Sequence, residues 1–293
     1  MPLIIVPLFL LGLLLSCRDG SGRKPEGLRI ISLSPHITEI IFALGADSQL
    51  VGVTDFCRYP PAAMEKEHIG GLIDPNIEKI LSLKPNCLLG IPAHAELNEK
   101  LHGFGLKIHM YPNETWHDML LTVDSIAAIT GRKEAGRELI RRMKFSMDSL
   151  IRTKPEYTPK VMILIGHDPG SLRNATVAGP NTFIAEMLES AGGKNIYSDL
   201  QMRYGTVNIE SMLARNPELI IDLKIDVFRS ILRVADEQTW TAISGTHAAA
   251  GKNIFSISGN YTLIPGPRML LLAEDFRAVI DSLKEAGERQ DKR

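Results

Sequence analysis

The chain has three cysteines and no C-x-x-C pair, and it lacks H-E-x-x-H, G-x-S-x-G and G-x-x-x-x-G-K-[ST]. Without the first two patterns there is no local zinc site. Without the third there is no nucleophile elbow from which a hydrolase triad could be built, and without the fourth no loop to cradle nucleotide phosphates. A dinucleotide fingerprint is missing as well, since Gly70-Gly71 opens no turn from a strand into a helix. The net charge is −1, so no excess of either sign draws the chain to nucleic acid or to an anionic membrane surface. No catalytic residue and no metal-ligand set is therefore assigned, no enzyme activity is expected, and function is sought in a binding site.

The most conspicuous apolar run lies at Met1 to Cys17 and is too short for a comfortable transmembrane helix. It is read as an export signal. Leu14-Leu15-Ser16-Cys17 resembles the lipobox of bacterial lipoproteins, which implies cleavage before Cys17 and a lipid on that residue. The start of the run carries no Lys or Arg, a departure from that pattern, so a plain signal peptide or an uncleaved anchor is the alternative. Residues 18–27, rich in Gly and charge, read as a flexible tether. The other two cysteines are expected to be free thiols. Cys57 follows one strand and Cys87 opens another, so in a parallel sheet they lie roughly 17 Å apart, against about 7 Å tolerated by a disulfide.

The stretch from Lys133 to Lys154 has Leu139, Ile140, Met143, Met147, Leu150 and Ile151 at helical spacing, with Arg137, Glu138, Arg141 and Arg142 on the other face. One helix of this length spans roughly 30 Å and can join two lobes. The chain on its two sides is similar. Asn76 to Pro85 pairs with Asn208 to Pro217, each followed by an apolar strand, and Glu39 to Gly45 pairs with Glu186 to Gly192. Two matches in the same order point to repeated units.

Apolar strands are predicted at 28–34, 50–55, 87–91 and 107–111 before the long helix, and at 160–166, 195–197, 219–222 and 253–258 after it. Helices lie between them, with a closing helix at 268–286. Alternating strands and helices mean parallel pairing with right-handed crossovers. The fold class is α/β: two βα lobes with mainly parallel sheets, residues 28–130 and 159–293, joined by the single helix of 131–158. Strand carboxyl ends then share one edge in each lobe, where ligands bind.

His36, His94 and His167 each follow an apolar strand and so fall on those edges, whereas His68, His102, His109, His117 and His247 read as scattered surface residues. Phe56, Tyr59, Tyr204 and Tyr261 gather in the same loops, with Arg58, Arg203 and Arg268 beside them. Such a lining suits a large, flat, partly polar ligand.

Several stretches carry a resemblance to a known family: Ile30 to Pro35, Thr38 to Gly45, Val51 to Pro61, Gly70-Gly71 through Pro85, Ala178 to Phe183, and Pro265 to Arg268. Together they resemble the helical-backbone solute-binding proteins of iron-complex and vitamin B12 importers. The resemblance implies a lipid-anchored monomer in the periplasm or on the outer cell surface, serving an ABC importer permease with its ATPase. It implies a metal chelate held in the cleft without chemical change, and no cofactor. Ser34, Pro35, His36, Phe56, Tyr59, Gly71, His94, His167, Tyr204, Tyr261 and Arg268 are the expected ligand-binding residues. Glu78 and Glu210 match the family's two glutamates that dock on permease arginines. The Phe56 to Pro61 loop and Tyr204 look most like the corrinoid-binding branch. Heme or a ferric siderophore, with His36 or His94 engaged, is the alternative, and a ligand-scavenging lipoprotein without a transporter is the second.

Overall fold

The computed structural model describes residues 27–235 and 237–290, so the leader, Cys17 and the tether before Gly27 lie outside the described residues. In chain order the first half contains β1 (Ile30–Ser32), α1 (Pro35–Ala43), β2 (Leu50–Val53), α2 (Ile77–Ser82), β3 (Cys87–Gly90), α3 (Ala95–His102) and β4 (Ile108–Met110). Two helices follow, α4 (Trp116–Ile129) and α5 (Lys133–Arg152). The second half contains β5 (Lys160–Gly166), β6 (Thr176–Ala178), α6 (Phe183–Ala191), β7 (Lys194–Asn195), β8 (Tyr204–Thr206) and α7 (Ile209–Arg215). It ends with β9 (Leu219–Lys224), β10 (Ser230–Arg233), α8 (His247–Ala250), β11 (Ile254–Ser258) and α9 (Met269–Gln290).

The first sheet has the order β2-β1-β3-β4 and is parallel throughout. Inside the second sheet the same arrangement recurs, because β7, β5, β9 and β11 lie side by side in that order, also parallel. Three further strands, β6, β8 and β10, add to it antiparallel. β7 is short because β6 occupies the other half of the same edge of β5, from Leu164 to Gly166.

The repeated sequence units take repeated shapes. Asn76 and Asn208 each cap a helix, accepting from Lys79 N and Ser211 N at 2.9 Å. Both helices end at a left-handed residue, Lys84 at φ 46° and Asn216 at φ 45°, and proline follows in each case. Lys84 has no amide side chain to favour that conformation, yet it takes the same place as Asn216.

Strand side chains alternate between two layers, as a period of two requires. Ile30, Leu89, Val161, Ile163, Leu219 and Ile221 face a central layer that also holds Leu139, Met143 and Met147 of α5 and Leu272, Phe276 and Val279 of α9. Their neighbours Ile31 and Leu88 face one outer layer, and Met162 and Ile220 face another. The lobes therefore have outer cores of their own but share the inner one. α5 is more than a spacer, since its apolar stripe packs into this shared layer. Gly136 lets it approach α4, because a Cβ there would meet Ala127 Cβ at 2.4 Å. Arg277 of α9 ties three helices together by donating to Ala191 O, Thr153 O and Leu150 O at 2.6–3.0 Å, so a cation satisfies the free carbonyls at the ends of α5 and α6.

Candidate ligand-binding cleft

Both sheets turn strand carboxyl ends toward one cleft, and the segments that follow β1, β2, β3, β4, β9 and β11 line it. The enclosed part is a cavity of about 340 Å³, at the small end of ligand sites, which run from about 300 to 1,000 Å³. A larger depression of about 910 Å³ lies on the second lobe alone, with Glu210, Ser211 and Arg215 in its wall. Size does not decide between them. The smaller cavity is where polar groups from both lobes converge.

Ser34, Pro35, His36, Phe56, Tyr59 and Arg268, all expected from sequence, line the cavity. Phe56 and Tyr59 leave 54% and 41% of their surface exposed, which is costly for aromatic rings unless something covers them. His36 lies in the first turn of α1 and is buried. Its Nδ1 is 2.9 Å from Ser34 Oγ, and its Nε2 has no partner. Burial, and then the nearby His94, lower its pKa to about 3, so the ring is neutral at physiological pH.

Glu39, missed as a site residue, is the counterpart of Arg268. The guanidinium of Arg268, at the start of α9, reaches across to α1 and grips the Glu39 carboxylate twice, Nη2 to Oε1 at 2.6 Å and Nε to Oε2 at 3.0 Å. Asn260 accepts from the same guanidinium through Oδ1 at 2.5 Å and its carbonyl at 3.0 Å, and the Tyr59 ring lies 3.7 Å beneath it. The pair is nearly dry, its side chains 3% and 13% exposed. Burial pushes the Glu39 carboxyl up, and the Arg268 bonds oppose that. Positions 229 apart offer no local sequence signal for this pairing. The one hint was that Glu39 belonged to the repeated unit.

Five expected residues lie outside the cavity lining. His94 is a structural histidine: Ile91 N donates to its Nδ1 at 3.0 Å, which leaves the proton on Nε2, 2.8 Å from Leu72 O. It thereby holds two residues that do line the cleft, Leu72 and Ile91. Gly71 is present only through its neighbour Leu72. His167 turns into the second lobe, with Nε2 at 3.2 Å from buried Asp222 and Nδ1 directed at the carbonyls of Asp168 and Ser171. Burial opposes its charge, but these bonds prevail and raise its pKa. Tyr204 sits on β8 and packs half-buried against the shared layer, outside the cavity lining. Tyr261 is buried and donates its hydroxyl to Asp275.

The remaining expectations are placed as follows. Glu78 and Glu210 are exposed in the first turns of α2 and α7, and burial runs identically over 76–80 and 208–212. Cys57 and Cys87 are free and buried, with Cys57 Sγ within 3.1 Å of Thr38 Oγ1. His68, His102, His109, His117 and His247 are exposed. Among the described residues no cluster of His, Cys, Asp and Glu could hold a metal ion, and no helix is long and apolar enough to cross a membrane.

Two parallel-sheet lobes, a shared inner layer and a cleft at the strand carboxyl ends describe a solute-binding protein, and the chain belongs to the periplasmic binding protein family, whose sequence profile matches residues 30–256. Family members work with the permease and ATPase of an ABC importer and are transport proteins, not an enzyme class. Among curated relatives, the vitamin B12-binding protein of Vibrio cholerae is 28% identical over 256 residues, 83% of this chain and 85% of the relative. The periplasmic heme-binding protein HutB of the same organism superposes with a TM-score of 0.73 at 25% identity, covering 86% of this chain and 98% of HutB. The periplasmic vitamin B12-binding protein BtuF of Vibrio cholerae superposes with a TM-score of 0.72, also at 25% identity, covering 87% and 97%.

Proposed function

We propose that this protein captures a planar metal chelate, a corrinoid such as cobalamin or cobinamide, in the inter-lobe cleft and delivers it unchanged to an ABC importer permease. The observation that carries this reading is the charge state of the cleft. Of the two arginines in the lining, Arg268 is consumed by Glu39 and Asn260, and Arg58 is exposed. A ferric catecholate carries several negative charges and calls for clustered cations, which the lining lacks. A corrinoid presents apolar edges and neutral amides, which suit Phe56, Tyr59, Leu263 and Ile264. The names borne by the B12-binding relatives agree with this choice.

In the same proposal Glu78 and Glu210 meet the permease, one per lobe, since a two-lobed receptor on a two-fold partner needs one acidic contact on each side. Cys17 carries the lipid that holds the protein in the periplasm or at the outer surface, and a Cys17→Ser variant loses lipid labelling. Heme is the second reading, favoured by likeness to HutB. Calorimetry with cobalamin, heme and a ferric siderophore separates the readings. Cobalamin is expected to bind; exclusive binding of heme overturns the corrinoid, and binding of none overturns the chelate.

A further inference from the structure

His167 directly follows β5 in the second lobe, with 11% of its side chain exposed. Its three hydrogen-bond partners are all acceptors. Nδ1 faces the carbonyls of Asp168 at 2.9 Å and Ser171 at 3.0 Å, and Nε2 faces Asp222 Oδ2 at 3.2 Å. Lys224 Nζ lies 3.2 Å from the same carboxylate oxygen, so that oxygen accepts from both sides. A neutral imidazole has one N–H and one lone pair, and here the lone pair meets an oxygen whichever nitrogen bears it. The imidazolium, with a donor on each nitrogen, satisfies all three partners at once.

The groups around the ring come from three segments. Trp240, in the turn Gln238–Ile243, meets it edge-on with ring centroids 5.9 Å apart and brings no charge. The Asp168 carboxylate is engaged elsewhere, by Arg173 at 3.4 Å and Asn174 at 3.1 Å. The charge facing the ring is that of Asp222 on β9, shared with Lys224. Burial works against a cation here, yet the bonds to Asp168, Asp222 and Ser171 outweigh it and raise the pKa. Among the described residues, two of the four buried polar side-chain atoms without a partner also lie at this point, Ser171 Oγ and Trp240 Nε1. Each unmet bond disfavours the closed arrangement, so closure leans on the charge-assisted bonds that the imidazolium donates.

We infer that His167 is a proton-operated latch: as the imidazolium it clamps the loop of residues 168–174 to β9, and when it loses a proton the clamp opens. Asp168, Leu172, Arg173 and Asn174 of this loop line the depression on the second lobe that Glu210 also lines. Resting on the docking reading of Glu210 above, the latch sets the shape of the surface beside that contact. The motion is local, because Leu172 stays buried in the outer core while Asp168, whose carboxylate holds Arg173 and Asn174, is released. Its direction follows from the two states of the ring. With the loop open the ring titrates at its ordinary 6.5 and with the loop closed it titrates higher, so the clamp is in force below 6.5 and is lost as pH rises through the raised value.

Nitrogen NMR of the isolated protein reads the charge of the ring, and amide hydrogen exchange reads the loop. In the wild type His167 is expected to titrate above 6.5, and the amides of Asp168 and Ser171, bonded to Arg173 O and Asp168 O, are expected to lose protection by about tenfold through the same midpoint. In a Trp116→Phe background, Trp240 emission, quenched by the adjacent imidazolium, rises with that midpoint. Asp222→Asn keeps the shape of the side chain and removes its charge, so the midpoint and the loop opening both move to lower pH. His167→Gln leaves the loop at its open-state protection at every pH and Trp240 emission flat. The wild-type measurement needs no substitution, so it stands even where a variant impairs folding. A midpoint at or below 6.5, or loop protection that does not follow the titration, overturns the latch. Neither chelate nor permease takes part, so that failure leaves the docking reading intact, whereas undiminished uptake by the Glu78→Ala, Glu210→Ala double variant overturns docking and leaves the latch standing.

Discussion

The two lobes are built on one parallel plan, β2-β1-β3-β4 in the first and β7-β5-β9-β11 in the second, yet they use it differently. The first keeps the bare plan and gives its strand ends to the cleft. The second adds β6 and β8 along β5 and β10 along β11, so an aromatic such as Tyr204 serves packing there instead of lining. The glutamates paired by the sequence echo differ in the same manner. Glu39 crosses to a guanidinium, Arg268, whereas Glu186 accepts from a backbone amide, Trp116 N, at 2.5 Å. Burial raises the carboxyl pKa of both. A repeated position can thus fasten the lobes through a charge pair on one side and a helix start on the other.

Six substitutions sharpen or break this comparison. The largest effect is expected at the charge pair: Arg268→Ala strands a buried carboxylate and lowers unfolding free energy by about 3–5 kcal/mol, whereas Glu186→Ala costs about 1–3 kcal/mol for its lost amide bond. Urea titration of both variants checks the ranking, and equal losses would make the two glutamates equivalent. Leu139→Ala in the shared layer should cost about 2–5 kcal/mol. Because that layer belongs to both lobes, Trp116 and Trp240 fluorescence, isolated in single-tryptophan variants, should report one coincident transition. Two separate midpoints would mean the lobes unfold independently.

The pH response comes next. Folding holds His36 neutral with a pKa near 3, against 6.5 when unexposed to the fold. As pH falls below 6.5 the unfolded chain takes up the proton first, so the stability conferred by a neutral His36 is present above 6.5 and is lost on the way down toward 3, by up to a few kcal/mol. His36→Gln should flatten that part of the stability curve in acid titrations of unfolding, and an unchanged slope would remove His36 as its source. The smallest effect on stability is expected at Glu78 and Glu210, exposed on both lobes. Replacing both with Ala should change stability by less than about 0.5 kcal/mol each and leave cobalamin affinity intact while transport falls, and weakened binding would place them in the recognition surface.

The parallel framework was legible in the sequence because buried parallel strands are apolar on both faces and the long helix carries a clear stripe. β6 and β8 were not legible, being three residues each, with Gly205 in the middle of one. Without them Tyr204 could be assigned to a loop but not to a side of the sheet. The first turn of α1 and the Phe56–Tyr59 loop were found because each directly follows a strand of the cleft edge. The same signal misplaced His94 and His167, since it fixes where the backbone emerges and not which carbonyl or carboxylate a ring finds. The Glu39–Arg268 pair depends on how two lobes meet, and nothing local to either residue records that.

The position of α9 sets an order of events during synthesis. It is the last described helix to leave the ribosome, and its buried face, from Met269 through Ile280, completes the layer shared by both lobes. Until it arrives, the apolar faces of α5 and α6 have no cover from that side. A fragment ending before residue 268 is therefore expected to expose that layer and precipitate alone, and to be rescued when the missing helix is supplied as a peptide.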